Sequence, residues 1–195
     1  MSIGVNLALT AFKLFAGIFA HSMAMVSDAV HSASDLFSTF IVIIGVKIGG
    51  KASDRNHPYG HERYECVAAI VLAAILAVTG VMLGYGGVTS LIKGEYKTAQ
   101  TPGLLALVAA AVSIVSKEAM FWYTRAAAKK INSGALKADA WHHRSDALSS
   151  VGAFAGILGA KLGLAVLDPV AALLICLMIL KAAFDIFRDA VRKMT

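Results

Sequence analysis

Charge is scarce in this sequence. Asp, Glu, Lys and Arg make up only 15% of its 195 residues, where a water-soluble domain carries roughly 25%. Apolar residues reach 58% and the mean hydropathy is +0.72. These values exclude an ordinary soluble domain and point to a membrane protein with room for one bundle of spans, each needing about 20 residues. Cysteine is nearly missing as well. Cys66 and Cys176 both lie in apolar runs and no CxxC pair exists, so a disulfide framework is excluded and each is read as a small packed side chain. The first apolar run is preceded by no basic segment and followed by no small-residue cleavage site, and is read as a retained span rather than a signal peptide. Low-complexity sequence is absent. The net charge of +6 does not signal nucleic acid, because the cations sit between apolar runs rather than on one polar face.

Polar and turn-rich breaks divide the chain into six expected spans, at about 3–21, 24–50, 63–92, 101–128, 135–161 and 166–190, with boundaries good to roughly ±2–4 residues. Pro102 and Pro169 each stand where a helix would begin, a position that tolerates proline. Lys and Arg fall unevenly on the two sides. Lys47, Lys51, Arg55, Arg63, Arg125, Lys129, Lys130, Lys137, Arg188, Arg192 and Lys193 lie near one face, against Lys93, Lys97 and Lys161 near the other. The positive-inside rule then predicts an all-α, six-helix bundle with cytoplasmic N- and C-termini.

Against this apolar background one octet is out of place, and it occurs twice. Residues 28–35 read DAVHSASD and residues 139–146 read DAWHHRSD, with five identities at a displacement of 111 positions. Positions i and i+4 share a helix face, so His31 with Asp35, and His142 with Asp146, each form a pair aimed one way. Two such helices facing each other gather two imidazoles and two carboxylates, a set that suits the tetrahedral preference of Zn²⁺. A charge at mid-membrane costs at least about 2.5 kcal/mol, so such residues usually face a pathway or a partner; a shared dication would compensate for Asp35 and Asp146. The plainer reading is that each pair only hydrogen-bonds within its helix, and the matched repetition weighs against it. Asp28 and Asp139, two turns away on roughly the same face, either line an access path or cap and pack their helices. His143 points about 100° away from His142 and is read as a bystander. Arg144 has Glu118 as a possible partner, and Lys117 is given no role.

A second cluster lies in the connection between the second and third spans, SDRNHPYGHERYE. Asp54, His57 and His61 offer three ligands within eight residues, in a segment kinked by Pro58 and freed by Gly60. Three protein ligands would leave one position open, although short loops of this kind are often merely solvated.

Together these motifs resemble the transmembrane domain of the cation diffusion facilitator family, of the zinc-transporter type: DAVHSASD on the second span, DRNHPYGHERYE after it, DAWHHRSD on the fifth and LDP at the sixth. The resemblance covers essentially the whole chain. It implies a transport site at His31, Asp35, His142 and Asp146, a peripheral loop site at Asp54, His57 and His61, metal–proton exchange, a homodimer, and residence in the lipid bilayer, here a bacterial plasma membrane. Members usually add a cytoplasmic C-terminal domain that binds metal and dimerises. The 195 residues have no counterpart to it, so dimerisation is expected to be weaker.

Histidine binds metal when neutral and carboxylates when ionised, so metal entry expels protons and protonation expels metal. Two nitrogens and two oxygens favour Zn²⁺, with Cd²⁺ as a mimic; Fe²⁺ and Co²⁺ stay open, and an all-oxygen site would suit Mn²⁺ better. Glycines at 45, 49, 50, 152, 156 and 159 permit close helix approach or bending, though packing alone explains them equally well. Two readings from other classes are an intramembrane metalloenzyme and a zinc-stapled structural protein. The first lacks an HExxH motif and an open coordination position; the second predicts binding without flux.

Overall fold

The computed structural model describes the backbone of residues 2–49, 62–98, 101–130 and 134–194, and the side chains of 3–40, 66–98, 101–130 and 140–192. Six helices follow one another: α1 (Ser2–Phe19), α2 (Met23–Gly49), α3 (Glu62–Lys93), α4 (Leu104–Lys130), α5 (Gly134–Lys161) and α6 (Leu167–Met194), with a 3₁₀ turn at Glu95–Lys97 after α3. Among the described residues there is no strand.

Local chemistry sets the helix ends. α1 closes with His21 in the left-handed region, φ 52°, while the Ser22 and His21 N–H groups reach back to the carbonyls of Gly17 and Ile18. This paired 6→1 and 5→2 closure satisfies carbonyls that would otherwise lack partners. α5 ends the same way at Gly163, φ 101°, with bonds from Leu164 to Gly159 and from Gly163 to Ala160. The start of α2 is held from another helix. Asp168, in the first turn of α6, accepts from the Ser22 hydroxyl at 2.6 Å and from the Met23 N–H at 2.8 Å, and Ser22 Oγ in turn accepts from Met25 N–H.

Packing pairs α1 with α2, α4 with α5, and α3 with α6; α2 also touches α5, α6 and α3. The main core is built largely from alanine (Ala16, Ala20, Ala24, Ala106, Ala109, Ala110, Ala153), sealed by Met25, Ile157, Ile175 and Ile179. Small residues let helix backbones approach closely where lipid supplies no hydrophobic drive between helices. At Gly156 a methyl group would run into the Ala171 side chain and come within 3.0 Å of the Leu167 carbonyl, so α5 and α6 meet there through the missing Cβ.

The exterior is the reverse of a soluble protein's. Phe19, Val78, Met82, Ile92, Leu174 and Phe184 all stand outward, while Lys13, Asp28, Lys117, His143 and Asp146 are buried. Among the described residues three helical stretches, Cys66–Lys93, Leu104–Lys130 and Leu167–Arg192, are long and apolar enough to cross a membrane, and Ile3–Phe19 is a shorter apolar helix. An apolar outer surface over a polar interior is what a lipid solvent demands. The protein is an all-α membrane protein.

Candidate metal centre

α2 and α5 meet through their octets, and they do so antiparallel. Asp28 contacts Ser149 and Ser150, whereas His31 and Asp35, further along α2, gather with Asp146, earlier along α5. In that group each residue offers one ligand atom, and all three atoms lie within 4.8 Å of one another. Two of the atoms around this void are conspicuous. His31 Nδ1 and Asp35 Oδ2 are buried and find no hydrogen-bond partner among the described residues. An unsatisfied buried polar atom costs about 1–3 kcal/mol, so a cation between them would relieve both. His142 stands at the edge of this group: its Nδ1 is 3.9 Å from Asp146 Oδ1, and its side chain is 50% exposed. The structure thus brings three of the four expected ligands together and leaves His142 alongside, outside the group and half-exposed.

Asp146 has a partner that the spacing of the motif did not predict. Lys117 of α4 places Nζ 2.6 Å from Asp146 Oδ2, with both side chains almost fully buried. Asp28 is likewise paired. Lys13 of α1 lies 2.8 Å from Asp28 Oδ2, neither side chain retaining any exposure. Lys13 also donates to Ser32 and Ser150, and Asp28 accepts from Ser149 and Ser150, each at 2.9 Å. Asp28 therefore neither caps α2 nor faces an open path: both its oxygens are engaged in a sealed cluster. Asp35 is left as the octet carboxylate with no lysine partner among the described residues.

Arg144 takes the expected acid, with Nε 3.8 Å from Glu118 Oε1, and its guanidinium lies 4.8 Å from the Phe121 ring centroid. Such stacking favours a cation where solvent is sparse. His143, read from the helical wheel as a bystander, stands outside the group of His31, Asp35 and Asp146 and is buried, because the face it turns to is covered by protein. The side chain of Asp139, and Asp54, His57 and His61 altogether, lie outside the described residues.

What sequence reasoning missed was the lysines. Each lies within an apolar stretch of its helix, where a cation calls for a counter-ion, and the identity of the partner needs the fold.

Comparison with known proteins fits this architecture. The profile of the cation efflux transmembrane domain matches residues 1–195. An uncharacterized transporter of Methanocaldococcus jannaschii is 41% identical over 186 residues, covering 95% of this chain and 65% of its own length. The manganese efflux system protein MneS of Bacillus subtilis is 35% identical over 195 residues, all of this chain and 66% of MneS. The magnetosome protein MamB of a Magnetospira strain is 32% identical over 187 residues, 96% of this chain and 63% of MamB. The chain thus spans just under two thirds of the length of these relatives. With every residue inside the matched region, the chain belongs to the cation efflux, or cation diffusion facilitator, family.

Proposed function

We propose that this chain is the membrane domain of a divalent-cation exporter that carries Zn²⁺ out of the cytoplasm in exchange for protons. His31, Asp35, His142 and Asp146 are the transport ligands. The observation that carries the proposal is the convergence of His31, Asp35 and Asp146 ligand atoms within 4.8 Å, two of these residues having a buried polar atom without a partner among the described residues. His142 completes a set of two nitrogens and two oxygens by a small movement, since its Nδ1 already faces Asp146. Four such ligands fit tetrahedral zinc. Charge supports the same reading. Lys13 and Lys117 pair directly with Asp28 and Asp146, so Asp35, with no lysine in contact among the described residues, supplies the negative charge that draws a dication inward. Histidine binds metal when neutral and a carboxylate when ionised, so protons compete with the metal for the same atoms and its release is coupled to the proton gradient.

Alternating access follows if α2 and α5 move as a unit against the other helices, turning the site from one membrane face to the other. The distribution of Lys and Arg supports cytoplasmic termini, and the exporter is placed in the plasma membrane. Asp54, His57 and His61 form a second, cytoplasmic site that captures metal, and the working unit is a homodimer. A manganese reading is favoured by two observations: without His142 the gathered set is one imidazole and two carboxylates, leaning toward oxygen, and one relative is named for manganese efflux.

The deciding experiment is flux in proteoliposomes under an imposed proton gradient, run with each metal separately. Zinc uptake is expected with the wild-type chain and is expected to vanish in Asp35→Ala and His142→Ala, both remaining folded and extractable. Wild-type uptake in either variant removes that residue from the site, and faster manganese than zinc uptake by the wild type overturns the zinc assignment.

A further inference from the structure

We propose that Lys117 sets the metal preference of this site by holding one oxygen of Asp146 out of coordination. The inference rests on the transport-site reading above and adds a residue to it from a helix that carries none of the ligands. The two oxygens of Asp146 are not equivalent. Oδ2 is bound by the Lys117 ammonium at 2.6 Å, while Oδ1 faces His142 Nδ1 at 3.9 Å. Lys117 is buried on α4, so its ammonium has no water to retreat into.

A metal seated among His31, Asp35 and Asp146 therefore meets Asp146 through a single oxygen. One oxygen from each carboxylate plus two imidazoles gives a coordination number of four, which zinc accepts. Manganese prefers six oxygen-rich ligands, and larger cations commonly take both oxygens of a carboxylate. Asp35, whose Oδ2 is unpartnered among the described residues, can give both its oxygens and raise the number to five; the sixth protein donor is Asp146 Oδ2. Recruiting it would evict the ammonium and leave a buried lysine unpaired beside a dication, a costly arrangement. Lys117 thus acts as a positioning residue: it touches a ligand rather than the metal, and it penalises high coordination numbers.

The test uses the full chain purified in detergent. Co²⁺ serves first as a spectroscopic probe of the wild type. The intense visible bands of four-coordinate Co²⁺ are expected, and a weak six-coordinate spectrum overturns the proposal with no variant needed. Zinc and manganese affinities are then measured by chelator competition. Neighbours of metal ligands typically alter affinity by about 10- to 100-fold, so Lys117→Gln is expected to lower the zinc-to-manganese affinity ratio by roughly 10-fold or more. Lys117→Arg, which keeps a cationic donor at Oδ2, is expected to restore most of it. A purely structural role would weaken both metals alike, and an unchanged ratio in Lys117→Gln overturns the proposal. Asp35→Ala is expected to lose its metal in the same assay. If it does not, the site itself is wrong and this inference falls with it, a failure distinguishable from an unchanged ratio alone.

Discussion

Replacing Lys13 by methionine keeps the length and apolar stem of the side chain and removes only its charge and donors. The consequence should be severe, because Asp28 is fully buried at 2.8 Å from Lys13 Nζ. At an effective dielectric of about 20 the gross attraction of such a pair is about 6 kcal/mol, and desolvation of both ions offsets much of it. Removing one partner is a different matter, since the other charge stays buried and alone; that costs about 3–5 kcal/mol. Ser149 and Ser150 still donate to Asp28, which argues for the lower part of that range. For a chain of this size each kcal/mol shifts the midpoint by about 2–4 °C, so a fall of about 6–12 °C is expected. The assay is thermal unfolding in detergent, read by loss of the monodisperse peak. Asp28→Asn added to Lys13→Met removes the orphaned charge while keeping an acceptor for the serines, and should recover much of the loss. A double variant no more stable than Lys13→Met would refute the reasoning, because the penalty would then come from packing rather than from an isolated charge.

Other expectations follow from the same geometry. Gly156→Ala should destabilise by about 1–3 kcal/mol through overpacking against Ala171 and the Leu167 carbonyl, whereas Gly152→Ala, where nothing lies within 4 Å, should be neutral in the same unfolding assay. His31→Asp changes the set to one nitrogen and three oxygens and should improve Cd²⁺, Mn²⁺ or Fe²⁺ relative to Zn²⁺ in competition flux; an unchanged profile would place selectivity outside His31. Changing Asp54, His57 and His61 together to alanine should lower the rate or apparent affinity without abolishing exchange at saturating zinc, and should remove one bound zinc by equilibrium dialysis. A triple variant that binds as much zinc as the wild type would refute the loop site.

The helices were legible because the apolar runs are long and their interruptions polar, and the observed ends stay close to the expected ones: α2 begins at Met23 and α5 ends at Lys161. The His31–Asp35 and His142–Asp146 pairs were legible because i and i+4 spacing is local. Glu118 was one candidate acid for Arg144, and the sequence alone did not fix the pairing that the fold makes. Partners that depend on how helices are arranged around one another were not. Nothing local connects Lys117 with Asp146 or Lys13 with Asp28, because the counter-ion arrives from a neighbouring helix. The burial of His143 was missed for a related reason: a helical wheel says which way a side chain points but not what covers that direction. The half-exposure of His142 likewise depends on how much of α5 its neighbours enclose.

The clasp that Asp168 makes on the Ser22 hydroxyl and the Met23 N–H turns α2 into a lever. It ties the first turn of α2 to the first turn of α6 at the end remote from Gly49, so a tilt of α2 that leaves the clasp intact pivots there. At 1.5 Å per residue, His31 lies about 12 Å along the arm from Met23 and Asp35 about 18 Å. A swing of about 10° would then carry His31 by about 2 Å and Asp35 by about 3 Å. Those arcs are about as long as a zinc–ligand bond of about 2 Å. A rotation of α2 together with α5 that leaves most helix contacts in place would therefore shift the proposed site by about a bond length against the surrounding helices, Asp35 further than His31.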